Sequence, residues 1–241
     1  MPEITSKIAL ITGGNRGLGR ATAEALIAKG VEVIYTYRDD PGEKIDAVPL
    51  KLTVGDLDSY DGFVTELKQA LGDRTDFDFL VNNAGVGRAA SIADTTVEAF
   101  DELMNVHFRG VFFLTQKLLP LIADGGRIIN LSTGLARFTG EGTHAAYGSM
   151  KGAVEVFTRY LAREAGARGI SANVLAPGAT ATDFGGGGLR TQAARDHLSG
   201  VIAMGRLGEP SDIANSITAL LTSEANWITG QRIEASGGML L

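Results

Sequence analysis

Short apolar runs typical of β-strands alternate with helical segments along the whole chain, and this alternation limits the fold more than any other feature. The strand-like runs cover residues 8–11, 31–37, 48–52, 77–81, 127–131, 170–175 and 231–234, and the helical segments include residues 20–29, 60–71, 97–104, 146–165 and 211–222. Strands that alternate with helices form βαβ units, in which helices cover both faces of a parallel sheet. The sequence therefore predicts an α/β fold with a doubly wound parallel sheet. No linker interrupts the pattern, so residues 1–241 are predicted to form one domain.

The composition excludes several classes of function. The chain has no cysteine, and its three histidines, His107, His144 and His197, lack the spacing of metal ligands, so no metal site is predicted. The net charge is −6 and lysine and arginine form no run, so nucleic acid is not an expected partner. No apolar stretch approaches the roughly 18 residues that span a bilayer. Residues 1–7 lack the features of a signal peptide, and we expect a soluble cytoplasmic protein without a membrane partner.

A glycine-rich motif follows the first predicted strand directly. The sequence Thr12-Gly13-Gly14-Asn15-Arg16-Gly17-Leu18-Gly19 leads from that strand into the first helix with the spacing G-x-x-x-G-x-G. Glycines permit a tight turn and let backbone N–H groups approach a phosphate at the positive end of a helix. A purely structural turn is the alternative, but the position between a strand and a helix favours a dinucleotide site.

Two adjacent amides follow the strand at residues 77–81, in the sequence Asn82-Asn83-Ala84-Gly85. Open parallel sheets bind ligands at the carboxyl ends of their strands, which is where these amides are expected to lie. The alternative is a plain Asx-type turn.

Tyr147 and Lys151 are four residues apart in a segment with the apolar spacing of a half-buried helix. Residues at this spacing share one helix face, so an ammonium is predicted to lie beside a phenol. A nearby positive charge favours the phenolate and would let the phenol exchange a proton near neutral pH. An ordinary helix pair is the alternative if this motif is taken alone.

Taken together, these motifs resemble the short-chain dehydrogenase/reductase superfamily, and within it the FabG-like carbonyl reductases, over essentially the whole chain. Asp56 after the third strand and Pro177-Gly178-Ala179-Thr180-Ala181-Thr182 after the sixth complete the resemblance. It implies a Rossmann-like sheet of about seven strands and hydride transfer between a nicotinamide cofactor and a carbonyl or alcohol.

The resemblance also implies roles for the matching residues. Tyr147 would exchange a proton with the substrate oxygen, while Lys151 would hold the nicotinamide ribose and lower the pKa of the phenol. Asp56 would contact the adenine, Asn83 the adenosine-side ribose and Thr182 the carboxamide, although Asp56 and Thr182 also fit a loop charge and a turn hydroxyl. The full set of expected cofactor-binding residues is Thr12, Gly13, Asn15, Arg16, Gly17, Leu18, Gly19, Tyr37, Arg38, Asp56, Leu57, Asn83, Ala84, Gly85, Tyr147, Lys151, Pro177, Gly178, Thr180 and Thr182.

The chain departs from the family pattern at two catalytic positions. The family has a serine after the fifth strand that hydrogen-bonds the substrate oxygen, and here Ser132 and Thr133 compete for that role. Successive strand residues point to opposite faces, so only one hydroxyl should face the pocket, and we favour Thr133. The family also tends to carry an asparagine three residues before Gly110, where it shapes a helix bulge; this chain has His107 there, with Asn105 two residues away. His107 could keep that role through its backbone carbonyl, add a group that titrates near neutral pH, or be a packed core residue.

The end of the second strand favours NADP(H) over NAD(H). An acid at this position binds the ribose hydroxyls of NAD, whereas arginine binds the 2′-phosphate of NADP. Tyr37 occupies the position of the acid and Arg38 follows it, while Arg16 in the glycine turn is within reach of the same phosphate. NAD(H) stays open because Asp39 and Asp40 come directly afterwards.

The leading hypothesis is an NADP(H)-dependent oxidoreductase that acts on a small-molecule carbonyl or alcohol. One alternative is a 3-oxoacyl-[acyl-carrier-protein] reductase, for which Arg168 would be a docking cation, although Asp124 and the negative net charge oppose it. Another is a catalytically weak NADP-binding regulatory protein. The family resemblance also implies a homo-oligomer, a tetramer or a dimer, formed through long helices and residues 236–241.

Overall fold

The computed structural model of the protein describes residues 6–140 and 142–241. Residues 1–5, on which the expectation about a signal peptide largely depends, lie outside the described residues. The described chain contains a sheet of seven parallel strands in the order β3-β2-β1-β4-β5-β6-β7, which confirms the predicted doubly wound fold. The strands are β1 (Ile8–Ile11), β2 (Glu32–Tyr37), β3 (Val48–Lys51), β4 (Phe77–Asn82), β5 (Ile122–Leu131), β6 (Ser171–Pro177) and β7 (Arg232–Ala235).

Helices cover both faces of this sheet. They are α1 (Gly17–Ile27), α2 (Tyr60–Ala70), α3 (Val97–Met104), α4 (Gly110–Leu118), α5 (Ala145–Ala165), α6 (Gln192–Ser199) and α7 (Pro210–Thr222). The sequence did not predict α4 or α6. The buried α4 is apolar on most sides and so lacks a clear period, whereas α6 is short and polar and is fixed at its start by the Thr191 hydroxyl, which accepts from the Ala194 N–H. None of the helices in the described part of the chain is long and apolar enough to cross a membrane.

Alternate strand residues supply two separate cores. Leu10 and Leu80 face one side of the sheet with helices α2, α4 and α5, and Ile11 and Val81 face the other side with α1 and α7. Each fully buried leucine or isoleucine contributes about 1.5–3 kcal/mol relative to an exposed one. The two apolar layers therefore fix the sheet register on which the positions of the strand ends depend.

The strand order reverses between β1 and β4, which are neighbours in the sheet. The N–H of Thr12 donates to the Val81 carbonyl at 2.9 Å, so the glycine turn and the Asn82–Gly85 segment leave the sheet side by side. Such a reversal opens a crevice at the carboxyl ends of the strands, where ligands of this fold class bind.

β5 begins at Ile122 rather than at residue 127, because Ile122 pairs with Phe77 across a register irregularity between Phe77 and Phe79. The other predicted strands are confirmed within two residues at each end.

Candidate active site

Helix α5 presents Tyr147 and Lys151 on one buried face. Tyr147 is 8% exposed and Lys151 is 3% exposed, and Met150 and Val154 are buried on the same side of the helix. The predicted helix and its buried stripe are confirmed. The two side chains lie under the carboxyl ends of β5 and β6, at the edge of the sheet where the crevice opens.

The ammonium of Lys151 is held by the strand next to it. Its Nζ donates to the Leu131 carbonyl at the end of β5 at 2.7 Å. Burial lowers the pKa of Lys151 to about 8, since a charged group loses hydration inside the protein. The side chain is therefore still mainly protonated at neutral pH.

The Tyr147 phenol is more weakly acidic than the sequence suggested. Burial raises its pKa to about 12, and the neighbouring Thr133 hydroxyl opposes this rise in part. Desolvation of the phenolate is the largest cause of this shift, and the Lys151 ammonium is directed at the Leu131 carbonyl. The role of Lys151 in lowering the pKa of the phenol stays a prediction. At neutral pH the phenol carries its proton.

The two hydroxyls after β5 face different surroundings. The Ser132 hydroxyl donates to Glu155 Oε1 at 2.6 Å, on the inner side of α5. The Thr133 hydroxyl accepts from the Leu135 N–H at 3.2 Å and lies beside the phenol. Thr133 is therefore the hydroxyl that faces Tyr147, as the strand alternation favoured.

His107 lies in a π-helical turn, Asn105–Arg109, between α3 and α4, and is completely buried. Its ring centroid is 5.0 Å from that of Tyr147, in an edge arrangement. Nε2 is 2.7 Å from the Val86 carbonyl and 3.3 Å from the Val86 nitrogen, so it donates to the first or accepts from the second according to the tautomer, and Nδ1 has no hydrogen-bond partner among the described residues.

Burial, with a smaller contribution from the Lys151 charge, lowers the pKa of His107 to about 3. The expectation that His107 adds a group titrating near neutral pH is therefore wrong. A buried imidazole next to a buried ammonium cannot readily gain a second charge. His107 is packed in the core, as one of the open alternatives has it, and it sits within a helix bulge. A role of its backbone carbonyl in place of the family's asparagine stays a prediction.

The glycine turn has the shape of a phosphate cradle. Gly13 and Gly17 have positive φ angles of 66° and 55°, and α1 begins at Gly17. A Cβ at Gly19 would overlap the Gly13 carbonyl, so only glycine allows this approach of helix to turn. Asn15 and Leu18 are half-buried in the same turn, and Arg16 is exposed at the start of α1.

Thr12 and Asn83 tie the glycine turn to the segment after β4. The Thr12 hydroxyl accepts from the N–H groups of Asn83 and Ala84, at 2.9 and 3.0 Å. The Asn83 side-chain amide donates back to the carbonyls of Thr12 and Gly13, at 2.8 and 3.0 Å. The NH₂ group of Asn83 thus donates both hydrogen bonds within the protein. A contact between Asn83 and the ribose would have to use another atom of this residue.

The end of β2 carries the residues that were expected to choose the cofactor. Tyr37 is half-buried and Arg38 is exposed, with the Arg38 Nε donating to Asp39 at 2.6 Å. Asp40 turns towards its own loop and accepts from the Gly42 N–H, while its backbone carbonyl accepts from the Asn15 amide. An acid and an arginine therefore both remain near this strand end.

The remaining expected cofactor residues also lie in loops at this edge. Asp56 is exposed at the start of the short turn Leu57–Ser59. Gly178, directly after β6, donates its N–H to the Ala235 carbonyl, and the Thr180 hydroxyl donates to the Gly178 carbonyl. The Thr182 hydroxyl accepts from the Phe184 N–H. Three glycines with left-handed backbone, residues 185–187, follow Phe184.

Residues from four loop segments surround Tyr147. Val86 and Leu135 pack in the apolar cluster around it, and His144 has its ring 6.4 Å away. Phe184 lies across the phenol with ring centroids 5.9 Å apart, and the Gly185 backbone is close enough to Gly87 to exclude a side chain there. Residues 184–186 therefore lie against residues 85–87 above the phenol. No group of three or more potential metal ligands occurs in the described ranges.

A buried polar chain beneath the site was missed by the sequence reasoning. The Asn82 amide donates to Thr115 and Asn130, at 2.9 and 2.8 Å, and the Asn130 amide donates to Thr158 at 2.9 Å. These bonds link β4 and β5 to the helices α4 and α5 below them. Asn130, a lone polar residue within an apolar strand, was the available signal.

Comparison with known proteins agrees with this geometry. The family model described as enoyl-(acyl carrier protein) reductase matches residues 13–240. The 3-oxoacyl-[acyl-carrier-protein] reductase FabG of Haemophilus influenzae is 37% identical, over 98% of this chain and 98% of its own length. Tetrahydroxynaphthalene reductase PfmaG of Pestalotiopsis fici is 33% identical, over 96% of this chain and 91% of its own. The crystal structure of the angucycline C-6 ketoreductase LanV with bound NADP matches with a TM-score of 0.87 and 37% identity, over 97% of this chain and 95% of that one.

The similarity extends over almost all of the chain and of each relative, and it includes the glycine turn and the tyrosine–lysine pair. The chain therefore belongs to the short-chain dehydrogenase/reductase superfamily and is an oxidoreductase of the FabG-like reductase type.

Proposed function

We propose that the protein is an NADPH-dependent ketoreductase of small molecules in which Tyr147 donates the proton, Thr133 orients the substrate oxygen and Lys151 supplies a positive charge. The observation that carries this proposal is the buried group formed by these three residues at the end of β5. A protonated phenol, a hydroxyl and a mainly charged ammonium are all buried there.

The residues at the sheet edge fit a nucleotide cofactor. The glycine turn leads directly into α1 at Gly17, where free N–H groups and the helix dipole favour negative charge. Arg16 and Arg38 would hold the 2′-phosphate, Asp56 and Leu57 the adenine, and Lys151 and Thr182 the nicotinamide end. When bound, NADPH supplies the hydride that reduces the carbonyl carbon.

The protonation states fit the proton transfer that reduction requires. A phenol with a pKa of about 12 is protonated at pH 7 and can give its proton to a carbonyl oxygen that gains negative charge as the hydride arrives. The Lys151 ammonium would stabilise the phenolate that remains. We expect turnover to fall as the pH rises through about 8, where Lys151 loses its charge.

The surroundings of the phenol favour a flat, aromatic ketone. The rings of His107, His144 and Phe184 lie around Tyr147, and Phe184 offers an apolar face for stacking. The names of two relatives, tetrahydroxynaphthalene reductase and angucycline C-6 ketoreductase, refer to substrates of this kind.

A 3-oxoacyl-[acyl-carrier-protein] reductase is the second candidate, supported by the identity of 37% to FabG. Arg168, the cation considered for docking an acidic carrier, is already used within the protein. It donates to Asp124 at 2.8 Å, to the Leu119 carbonyl at 2.9 Å and to the Ile122 carbonyl. This engagement ranks the carrier-protein reaction below reduction of a free ketone.

The test is oxidation of NADPH with a panel of polycyclic aromatic ketones, small diketones, quinones and 3-oxoacyl thioesters, for the wild type and Tyr147→Phe. We expect turnover on the aromatic ketones and a loss of roughly 10²–10⁴-fold in the variant, the usual contribution of a positioned acid. NADPH binding, followed by fluorescence, should be kept in the variant. Binding without turnover on any carbonyl would instead support the catalytically weak regulatory protein, and NADH used as well as NADPH would refute the cofactor preference.

We also propose that the protein works in the cytoplasm as a homo-oligomer, a tetramer or a dimer. Tyr160 and Val156 on α5 and Phe113 on α4 are large apolar side chains with 74%, 45% and 38% exposure, which a partner subunit would cover. Light scattering of the wild type and Tyr160→Glu tests this, with a smaller mass expected for the variant. A monomeric wild type would refute it.

A further inference from the structure

Arg137 joins the turn that follows Thr133 to a segment nearly 100 residues further along the chain, residues 236–240. Its guanidinium donates to both carboxylate oxygens of Glu234, at 2.8 and 2.7 Å, and to the carbonyls of Leu240 and Met239, at 3.1 and 2.7 Å. A planar fork that satisfies one carboxylate and two carbonyls fixes its neighbours more tightly than a single ion pair does.

The anion in this contact is held in its charged form. Glu234 accepts from Arg137 and also from Arg232 Nη1 and the Ser236 hydroxyl, each at 2.8 Å or less. These bonds lower the pKa of Glu234 to about 2, and the bond to Arg137 has the largest effect. The contact therefore persists throughout the physiological pH range.

Arg232 extends the same network to the catalytic strand end. Its Nη2 donates to the Thr133 carbonyl at 3.2 Å, and its Nε donates to Glu155 at 2.8 Å. Glu155 in turn accepts from the Ser132 hydroxyl. The backbone that carries the Thr133 hydroxyl is thus connected through charged groups to Glu234 and Arg137.

Residues 237–240 also hold the chain that follows α6. The Leu240 N–H donates to the Val201 carbonyl at 2.9 Å, and the N–H groups of Ala203 and Met204 donate to the carbonyls of Gly238 and Gly237, at 3.2 and 3.0 Å. Leu240 has a φ of 52°, a conformation that costs free energy in a residue other than glycine and needs surrounding contacts to persist. Arg137 binds the carbonyl of that residue.

The side chains between these bonds form one apolar wall. Met239 is buried with Ile202 and Leu207, and Phe138, Leu189 and Leu198 pack against them. Phe138 lies next to Arg137, whose guanidinium is 5.2 Å from the ring centroid, and Leu135 of the same turn packs on Tyr147. The wall therefore continues from the phenol to α6.

We infer that Arg137 is a positioning residue for the substrate: it holds residues 239–240 against the turn that follows Thr133, and thereby fixes the apolar wall of Phe138, Met239 and Leu189 against which a ketone is placed. It acts through these residues and touches no reacting atom. The inference rests on the proposed ketoreductase function. It predicts an effect on the binding of the ketone and none on the binding of NADPH, whose expected contacts lie elsewhere.

Arg168 provides a matched control. It also pairs with one carboxylate and donates to two carbonyls, and its side chain is 38% exposed, against 37% for Arg137. Its partner Ile122 is the first residue of β5, and Leu119 lies just before that strand. The site is at the other end of β5, after Leu131. Loss of Arg168 therefore removes the same kind of bonds without touching the wall.

The experiment compares Arg137→Met and Arg168→Met with the wild type. For Arg137→Met we expect a rise of about tenfold in KM for the aromatic ketone, equivalent to about 1.4 kcal/mol, with kcat and the dissociation constant of NADPH within about twofold. Amide hydrogen exchange should be faster in residues 201–204 and 236–240. Arg137→Lys should recover part of the loss, because one charge remains but the planar fork does not. Arg168→Met should leave KM and this exchange unchanged.

An unchanged KM together with unchanged exchange in Arg137→Met would overturn the inference, as would an equal rise of KM in Arg168→Met. If Arg137→Met does not fold, Arg137→Gln replaces it with the same expected outcomes. If the wild type reduces no ketone, the proposed function fails. The exchange measurement then still decides whether Arg137 holds residues 236–240, and wild-type exchange in the variant would refute that too.

Discussion

Replacement of His107 by asparagine should change how the stability of the protein depends on pH. The His107 side chain is fully buried and its pKa is lowered to about 3, so the native state keeps it neutral, whereas the unfolded state binds a proton near pH 6.5. Between these values the unfolded state binds more protons, and acid therefore favours unfolding. The stability that His107 provides is present above about pH 6.5 and is lost as the pH falls towards 3.

The size of the effect follows from that difference. Each pH unit within this window removes up to about 1.4 kcal/mol from the free energy of unfolding. Half of the unfolded chains already carry this proton at pH 6.5, so between pH 6.5 and pH 4.5 the wild type should lose about 2 kcal/mol through this one residue. The pKa values of Asp212 and Glu234 are lowered to about 2 by their arginine partners, so the stability that these two carboxylates contribute also decreases in acid. Both residues are present in wild type and variant, so their contribution cancels in the comparison.

Urea denaturation of wild type and His107→Asn at several pH values between 4.5 and 7.5 measures this difference. We expect the variant to be less stable at pH 7, because the bond to the Val86 carbonyl and the packing on Tyr147 are lost, and the two curves to converge as the pH falls. His197→Asn is the control: this histidine is exposed on α6, and its curve should run parallel to that of the wild type. Parallel curves for His107→Asn would refute the reasoning.

The same variant bears on catalysis. An imidazole that is buried and neutral at pH 7 does not act as the acid, so we expect His107→Asn to keep at least about a tenth of kcat, a change of no more than about 1.4 kcal/mol in the barrier. A greater loss in folded protein would show that the ring itself takes part.

Three further changes test the other assignments. Arg38→Asp should raise KM for NADPH at least about tenfold more than KM for NADH, since an Arg–phosphate bond of about 1.5–3 kcal/mol is lost, and equal rises in steady-state assays would contradict the assignment of the 2′-phosphate. Thr133→Val should lower kcat/KM for the ketone about tenfold or more. Ser132→Ala loses the bond to Glu155 and should mainly lower the melting temperature. The reverse pattern would exchange the roles of the two hydroxyls. Gly19→Ala should weaken NADPH binding by about tenfold or more in a fluorescence titration because a Cβ overlaps the Gly13 carbonyl, and the control Gly62→Ala, on an open face of α2, should bind normally.

Local patterns were enough to predict most of the sheet and the position of the site. Strand periodicity, the glycine turn and the tyrosine–lysine spacing each depend on residues close together in the chain. The elements β1, β2 and α5 begin and end within two residues of the predicted bounds, whereas α1 begins three residues earlier than predicted. Thr133 was favoured over Ser132 because it falls at the family's serine position, and alternation along β5 explains why only one of the two hydroxyls faces Tyr147.

The acidity of the site residues depended on the tertiary structure. Spacing on a helix predicts that Lys151 and Tyr147 are neighbours, but only the packed structure shows that both are buried, that the ammonium is bound by the Leu131 carbonyl and that desolvation governs the phenol. The sequence left three roles open for His107 for the same reason, because burial by the turn between α3 and α4 and by the residues after β4 is a property of the assembled core.

The sequence by itself determined the order of the strands, five of the helices and the glycine turn, since these follow from backbone preferences and short spacings. The catalytic and cofactor roles of the site residues stay predictions. The tertiary structure alone decided which charges are buried and which distant segments touch, as when Arg137 binds Met239 and Leu240. Dehydration of a charge and contact between distant segments arise only when the whole chain packs, and no local pattern records them.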